Sequence, residues 1–138
     1  MTSPMIRIGL CVGLCLGLAL VGCSKKSDAP SQHAQGVHVQ KDPAQAKQLI
    51  AQGATVLDVR SPDEFSGGHL PQATNVPIQS FDLAAVDKLV GGDKTKPIVV
   101  YCAKGGRAQK AKDQLDAAGY THVVNGGGYD DLAGSAAR

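Results

Sequence analysis

The sequence predicts an α/β fold, in which a mostly parallel sheet of five short strands is covered by helices on both faces. Two observations carry this expectation. Short apolar, β-branched runs alternate along the chain with stretches of helical spacing. Capping residues and glycines mark the starts and stops of the helical stretches.

Val37-His38-Val39 is the first expected strand. Asp42 can cap a helix that has Pro43 at its first position and Gly53 after its end, with Leu49 and Ile50 facing inward. Thr55 to Asp58 is the second strand. Ser61-Pro62-Asp63-Glu64 has the spacing of a capping box and opens a short helix. Ala73 to Val76 forms the third strand, and Leu83 to Val90 a helix closed by Gly91-Gly92. Ile98 to Tyr101, behind Pro97, reads as a buried strand. From Ala108 onward a helix places Ala111, Leu115 and Ala118 on one face, with Gly119 as its stop. His122 to Val124 is the last strand. Sheets of this kind bind ligands beyond the carboxyl ends of their strands, and Cys102 stands at one such end.

The 138 residues allow one domain, and an apolar fraction of 43% is enough for its core. A formal charge of +2 is far from the dense basic surface of a nucleic-acid binder. The 17 glycines follow no period, which excludes collagen and repeat architectures.

The amino terminus reads as a leader. Arg7 precedes an apolar stretch, Ile8 to Val21, shorter than the roughly 20 residues of a spanning helix and suited to a secretory signal. It ends in Leu20-Val21-Gly22-Cys23, which resembles the lipobox of bacterial lipoproteins. That resemblance implies cleavage before Cys23 and a diacylglycerol on its sulfur; an ordinary signal or a short anchor is the alternative. The expected organisation is a signal peptide over residues 1–22, a lipidated cysteine and polar tether over 23–36, and a folded domain over 37–138. The protein would then be exported and lipid-anchored to a bacterial cell membrane facing the periplasm, with inner and outer membrane both open. Of the 4 cysteines, Cys11 and Cys15 would leave with the signal and Cys23 would become a thioether. Cys102 would remain as the free thiol of the mature chain. In an oxidising compartment such a thiol is either buried and inert or kept for its reactivity.

The loop Cys102-Ala103-Lys104-Gly105-Gly106-Arg107 favours the second reading. A turn from a strand into a helix N-terminus aims successive N–H groups into one concavity, and the helix dipole adds positive potential. Gly105 and Gly106 permit the backbone angles such a ring needs, and Lys104 and Arg107 add full charges. These features favour an anion, and the nearest candidate is the thiolate of Cys102, a nucleophile. A tight turn around a buried cysteine remains the plain alternative.

Residues 57–77, LDVRSPDEFSGGHLPQATNVP, resemble the amino-terminal signature of the rhodanese family. Cys102 to Arg107 is similar to that family's active-site loop, with four residues between cysteine and arginine. Residues 125–132, NGGGYDDL, are similar to its glycine-rich carboxyl-terminal element. The resemblance implies a rhodanese-like three-layer α/β/α fold and a sulfurtransferase. Cys102 would take sulfane sulfur from thiosulfate or a related small donor anion as a persulfide held by the loop, and pass it to a thiol or cyanide. It implies no cofactor and no metal; with the low net charge and the lipobox, the expectation is a monomer with no nucleic-acid partner that meets the membrane through its lipid. This chain departs from the family pattern in having Ala103 directly after the cysteine and Ala108 after the loop arginine. It also has Leu132 where a tryptophan is common, expected to loosen the wall beside the pocket. The alternatives are a phosphatase or arsenate reductase of the same fold, whose loop has five residues between cysteine and arginine, and a non-enzymatic persulfide carrier or binding module.

Four further features carry two readings each. Asp58 and Arg60 either support the site electrostatically or form a buried pair holding strand to loop. Glu64 serves the capping box or pairs with Arg107. His69 is a proton donor or a turn residue. Gly126 to Gly128 is a phosphate loop or a place of close backbone packing.

Overall fold

The computed structural model describes residues 38–134. The expected signal peptide, Cys23, the tether and Val37 lie outside the described residues. The elements are α1 (Pro43–Ala51), β1 (Thr55–Asp58), α2 (Pro62–Ser66), β2 (Ala73–Asn75), a 3-10 turn (Ile78–Ser80), α3 (Leu83–Val90), β3 (Ile98–Cys102), α4 (Gly106–Ala117), β4 (Val123–Gly128) and α5 (Tyr129–Ala133).

Side-chain caps set several boundaries. Asp42 accepts the Gln45 N–H at 2.9 Å and Asp82 the Ala84 N–H at 2.9 Å, so each satisfies a donor that its helix cannot. Ser61 and Glu64 complete a capping box at the start of α2. Gly91, at φ +68°, ends α3 in a left-handed conformation.

The strands are ordered β2-β1-β3-β4, and every pair is parallel. The sheet therefore has four strands among the described residues, where five were expected. His38 and Val39 do not pair as a strand. Their stretch approaches the outer edge of β4 through one backbone bond, Asp42 N–H to Asn125 O at 2.8 Å. It goes no further as a ladder toward the carboxyl end because α1 begins at Pro43. The Gln40 N–H turns instead to the Gln109 side chain, at 3.2 Å.

The last strand is longer than the expected His122 to Val124 and takes in all three glycines. Its register with β3 shifts between Val100 and Tyr101: Val100 faces Asn125, Tyr101 faces Gly127, and Gly126 is the extra residue of a bulge. The shift sets Gly128 opposite Cys102. Gly126 is needed there, since a Cβ would meet Leu132 Cδ1 at 3.0 Å and Ala46 Cβ and Val99 Cγ1 at 3.2 Å.

All five residues of β3 are buried, and alternate ones feed two apolar clusters. Ile98, Val100 and Cys102 join Val86 and Val90 of α3 and Ala108, Ala111 and Leu115 of α4. Val99 and Tyr101 join Ala46 and Leu49 of α1 and Leu132 of α5. Cys102 thus ends the central strand on the α3/α4 side, where α4 begins.

Candidate active site

The thiol is placed by a change of direction. β3 delivers Cys102 into the core at 1% exposure. The chain then crosses exposed Ala103 and Lys104 and turns through Gly105, at φ +97°, into α4. The Gly105 N–H donates to Cys102 Sγ at 3.0 Å. The N–H groups of Gly106, Arg107 and Ala108, in the first turn of α4, have no acceptor within their own helix. They stand at the positive end of the helix dipole, beside the sulfur.

Arg107 is held by Glu64 of α2 in a two-pronged pair, Nη1 to Oε2 and Nη2 to Oε1, both at 2.7 Å. The Glu64 carboxylate also accepts the Ser61 N–H at 3.0 Å, so both readings of this residue hold at once. The Arg107 hydrogen bonds, followed by the Ser61 N–H, lower the Glu64 pKa from 4.5 to about 2. The Arg107 pKa is raised, first by Glu64 and to a lesser degree by the adjacent Cys102 sulfur. A carboxylate depressed in the folded state contributes stability that is complete above pH 4.5 and is lost as pH falls through about 2. The Glu64 side chain is 37% exposed, so solvent screening keeps the contribution modest. Glu64→Gln should therefore flatten the fall of the thermal midpoint between pH 4.5 and 2. Equal slopes for the two proteins over that window would show that the pair does not stabilise the fold.

Asp58 and Arg60 lie on the other side of the sheet. Arg60 Nη2 donates to Asp58 Oδ2 at 2.6 Å and Arg60 Nε to both carboxylate oxygens at 3.0 Å. Arg60 Nη2 also reaches Gly68 O at 2.6 Å, and its guanidinium lies 4.7 Å from the Tyr129 ring centroid. The Asp58 hydrogen bond raises the Arg60 pKa despite burial. Tyr101, whose hydroxyl accepts the Leu70 N–H at 3.2 Å, is pushed well above the usual phenol range by burial, with Asp58 adding to the effect. These contacts tie β1 to residues 68–70 on the α1/α5 side, away from the sulfur, which is the structural reading of the pair.

The Rhodanese-like domain family profile matches residues 42–134. The chain belongs to that family. It is 35% identical over 77 residues to the thiosulfate sulfurtransferase PspE of Escherichia coli, covering 56% of this chain and 72% of that protein. It is 36% identical over 87 residues to the thiosulfate sulfurtransferase GlpE of Pseudomonas syringae, covering 62% and 78%. Among solved structures it is similar to an E. coli rhodanese with anions, at a TM-score of 0.52 and 33% identity, covering 59% of this chain and 93% of that one. The human single-domain sulfurtransferase TSTD1 aligns at a TM-score of 0.51 and 26% identity, covering 65% and 90%.

In this rhodanese-like domain the glycine-rich element packs against the cysteine loop. A Cβ on Gly128 would sit 2.6 Å from Ala103 O, and one on Gly105 would sit 3.3 Å from Gly127 Cα. The glycines are there for close backbone approach. Leu132 does not border the sulfur as expected. α5 turns it to the α1/α5 cluster at 4% exposure, where it lines a groove of about 350 Å³ with Lys47, Ile50, Leu70 and Pro71. Ala108 is fully buried in the cluster that contains Cys102. His69 is an exposed turn residue, stacked on Phe65 at 3.8 Å with Nδ1 2.9 Å from Phe65 O. Two buried polar residues escaped the sequence reading, Asn125 at 2% and Gln109 at 7% exposure. The signal for Asn125 was a lone amide directly after the expected His122 to Val124 strand and before three glycines.

Proposed function

We propose that this rhodanese-like domain is a sulfurtransferase that carries sulfane sulfur on Cys102. The reading rests on the Gly105 N–H at 3.0 Å from Cys102 Sγ, at the mouth of the α4 N-terminus. The names of its relatives, thiosulfate sulfurtransferases, support it. The Cys102 thiolate attacks the outer sulfur of thiosulfate; the S–S bond of the donor breaks and its electron pair leaves with sulfite. The persulfide's outer sulfur, about 2.05 Å from Sγ, carries the negative charge. The loop amides stabilise that charge as they would an oxyanion. A thiolate or cyanide attacks the outer sulfur, and Cys102 returns as thiolate. The four-residue span between Cys102 and Arg107 suits a single added sulfur better than a phosphoryl group. Exposed Lys104 raises the potential at the entrance, so uptake should slow as salt rises.

Intact-mass measurement after thiosulfate treatment tests this. The expected result is a gain of one sulfur atom on Cys102 that cyanide removes; a protein that gains none is not a sulfurtransferase of this kind.

We further propose that the chain is exported and anchored through a lipid on Cys23, from the Leu20-Val21-Gly22-Cys23 sequence. Metabolic labelling with a fatty acid should mark the wild type and not Cys23→Ala; label that persists in the variant refutes the anchor.

A further inference from the structure

We infer that Asn125 is a positioning residue for the sulfur site: its side-chain amide locks the Gly105–Gly106 peptide so that the loop N–H groups face Cys102. The inference rests on the sulfur-carrying role proposed for Cys102.

Asn125 is buried, and its side chain uses both of its functions. Nδ2 donates to Gly105 O and to Gln109 Oε1, each at 3.1 Å. Oδ1 accepts the Gly127 N–H at 3.0 Å. Gly105 O receives a second bond, from the Gln109 N–H at 2.9 Å. A carbonyl and the N–H of the same trans peptide point in opposite directions. With Gly105 O drawn back toward α4 and β4, the Gly106 N–H is aimed out of the helix N-terminus. The neighbouring peptide supplies the Gly105 N–H that already bonds the sulfur.

A lock is needed because Gly105 has no side chain to bias its torsions. Glycine populates many backbone conformations at similar energy. In a loop that must present charge-stabilising amides, either flanking peptide could rotate and turn a donor into an acceptor. Asn125 sets the Gly105–Gly106 peptide and, through Gly127, fixes the backbone that packs on Gly105. It touches neither sulfur nor donor, and acts through the loop.

The test compares full-length wild type, Asn125→Ala and the isosteric Asn125→Asp, which turns an oxygen toward Gly105 O. Thiosulfate-dependent transfer, the sulfur gained by Cys102 and thermal unfolding are measured for each. A misaimed amide should lower kcat by about 10-fold or more, below the full effect of deleting an oxyanion donor. KM should change less than about 3-fold, because the charges of Arg107 and Lys104 are unaltered. A purely structural role would lower the thermal midpoint and leave kcat per folded molecule unchanged, and that result overturns the inference. If wild type itself gains no sulfur, the sulfurtransferase reading fails instead, and this inference with it. Should neither variant fold, NMR of the wild type decides. Persulfide formation should shift the Gly105 and Gly106 amide protons together with the Asn125 side-chain amide. A stationary Asn125 amide overturns the inference.

Discussion

Cys102→Ser is expected to fold as the wild type does and to take up no sulfur at all. The residue is buried among Val59, Val100 and Ala108, so a smaller hydroxyl leaves little space unfilled. The hydroxyl keeps a partner, since it can accept the Gly105 N–H that now bonds the sulfur. A buried hydroxyl with a hydrogen bond costs little, and the stability change should stay near 1 kcal/mol. Chemistry should fail completely, because serine is not ionised at neutral pH and offers no sulfur to bond the donor's. Sulfite release from thiosulfate and intact mass are the measurements. Release at the wild-type rate would remove Cys102 from the reaction.

The second large effect concerns stability rather than chemistry. Asp58→Ala leaves the Arg60 guanidinium, 8% exposed, without its carboxylate. Breaking a buried pair from one side costs about 3–5 kcal/mol, because the remaining charge is uncompensated. Against a typical stability of roughly 5–15 kcal/mol, that removes a large share. The pair lies on the α1/α5 side while Cys102 lies on the other, so the folded fraction should still take up sulfur. Replacing both members with apolar residues, as Asp58→Leu with Arg60→Met, should recover much of the loss. Urea midpoints at neutral pH decide the matter. A loss below about 1 kcal/mol for Asp58→Ala would mean that the pair behaves as an exposed one.

The parts of the fold that the sequence discloses are those fixed by a side chain acting on its own backbone. The caps at Asp42, Ser61 and Asp82 and the glycine at position 91 mark helix boundaries because each meets a local hydrogen-bond or torsional requirement. The Cys102 loop is legible for the same reason: thiol, glycines and cations are adjacent in the chain. What depends on pairing is not legible. Gly126 to Gly128 have no strand propensity, and belong to β4, with a bulge at Gly126 and Gly127 at φ +87°, because β3 supplies the ladder. Val37-His38-Val39 has two β-branched residues, as a strand would, yet His38 and Val39 are in no strand, and among the described residues before α1 only the Asp42 N–H bonds the β4 backbone. Which side of the sheet Asp58 and Arg60 face follows from register, which a string of residues does not state. The Asn125 side chain finds its partners in Gly105 and Gln109, twenty and sixteen positions away.

The close approach of two backbones also bounds how this site can be re-engineered. A side chain on Gly105 or Gly128 would press one stretch of main chain against another, and one on Gly127, at φ +87°, would be strained and would meet the Asp131 carboxylate at 2.7 Å. Ala103 and Lys104 are exposed and are free of that constraint. A library aimed at a different donor therefore has its adjustable positions at Ala103 and Lys104, and at Gly106, where a Cβ would meet nothing within 4 Å. Diversity spent on the three glycines would return proteins with a displaced loop, whereas changes at 103 and 104 alter size and charge at the entrance and leave the sulfur cradle standing.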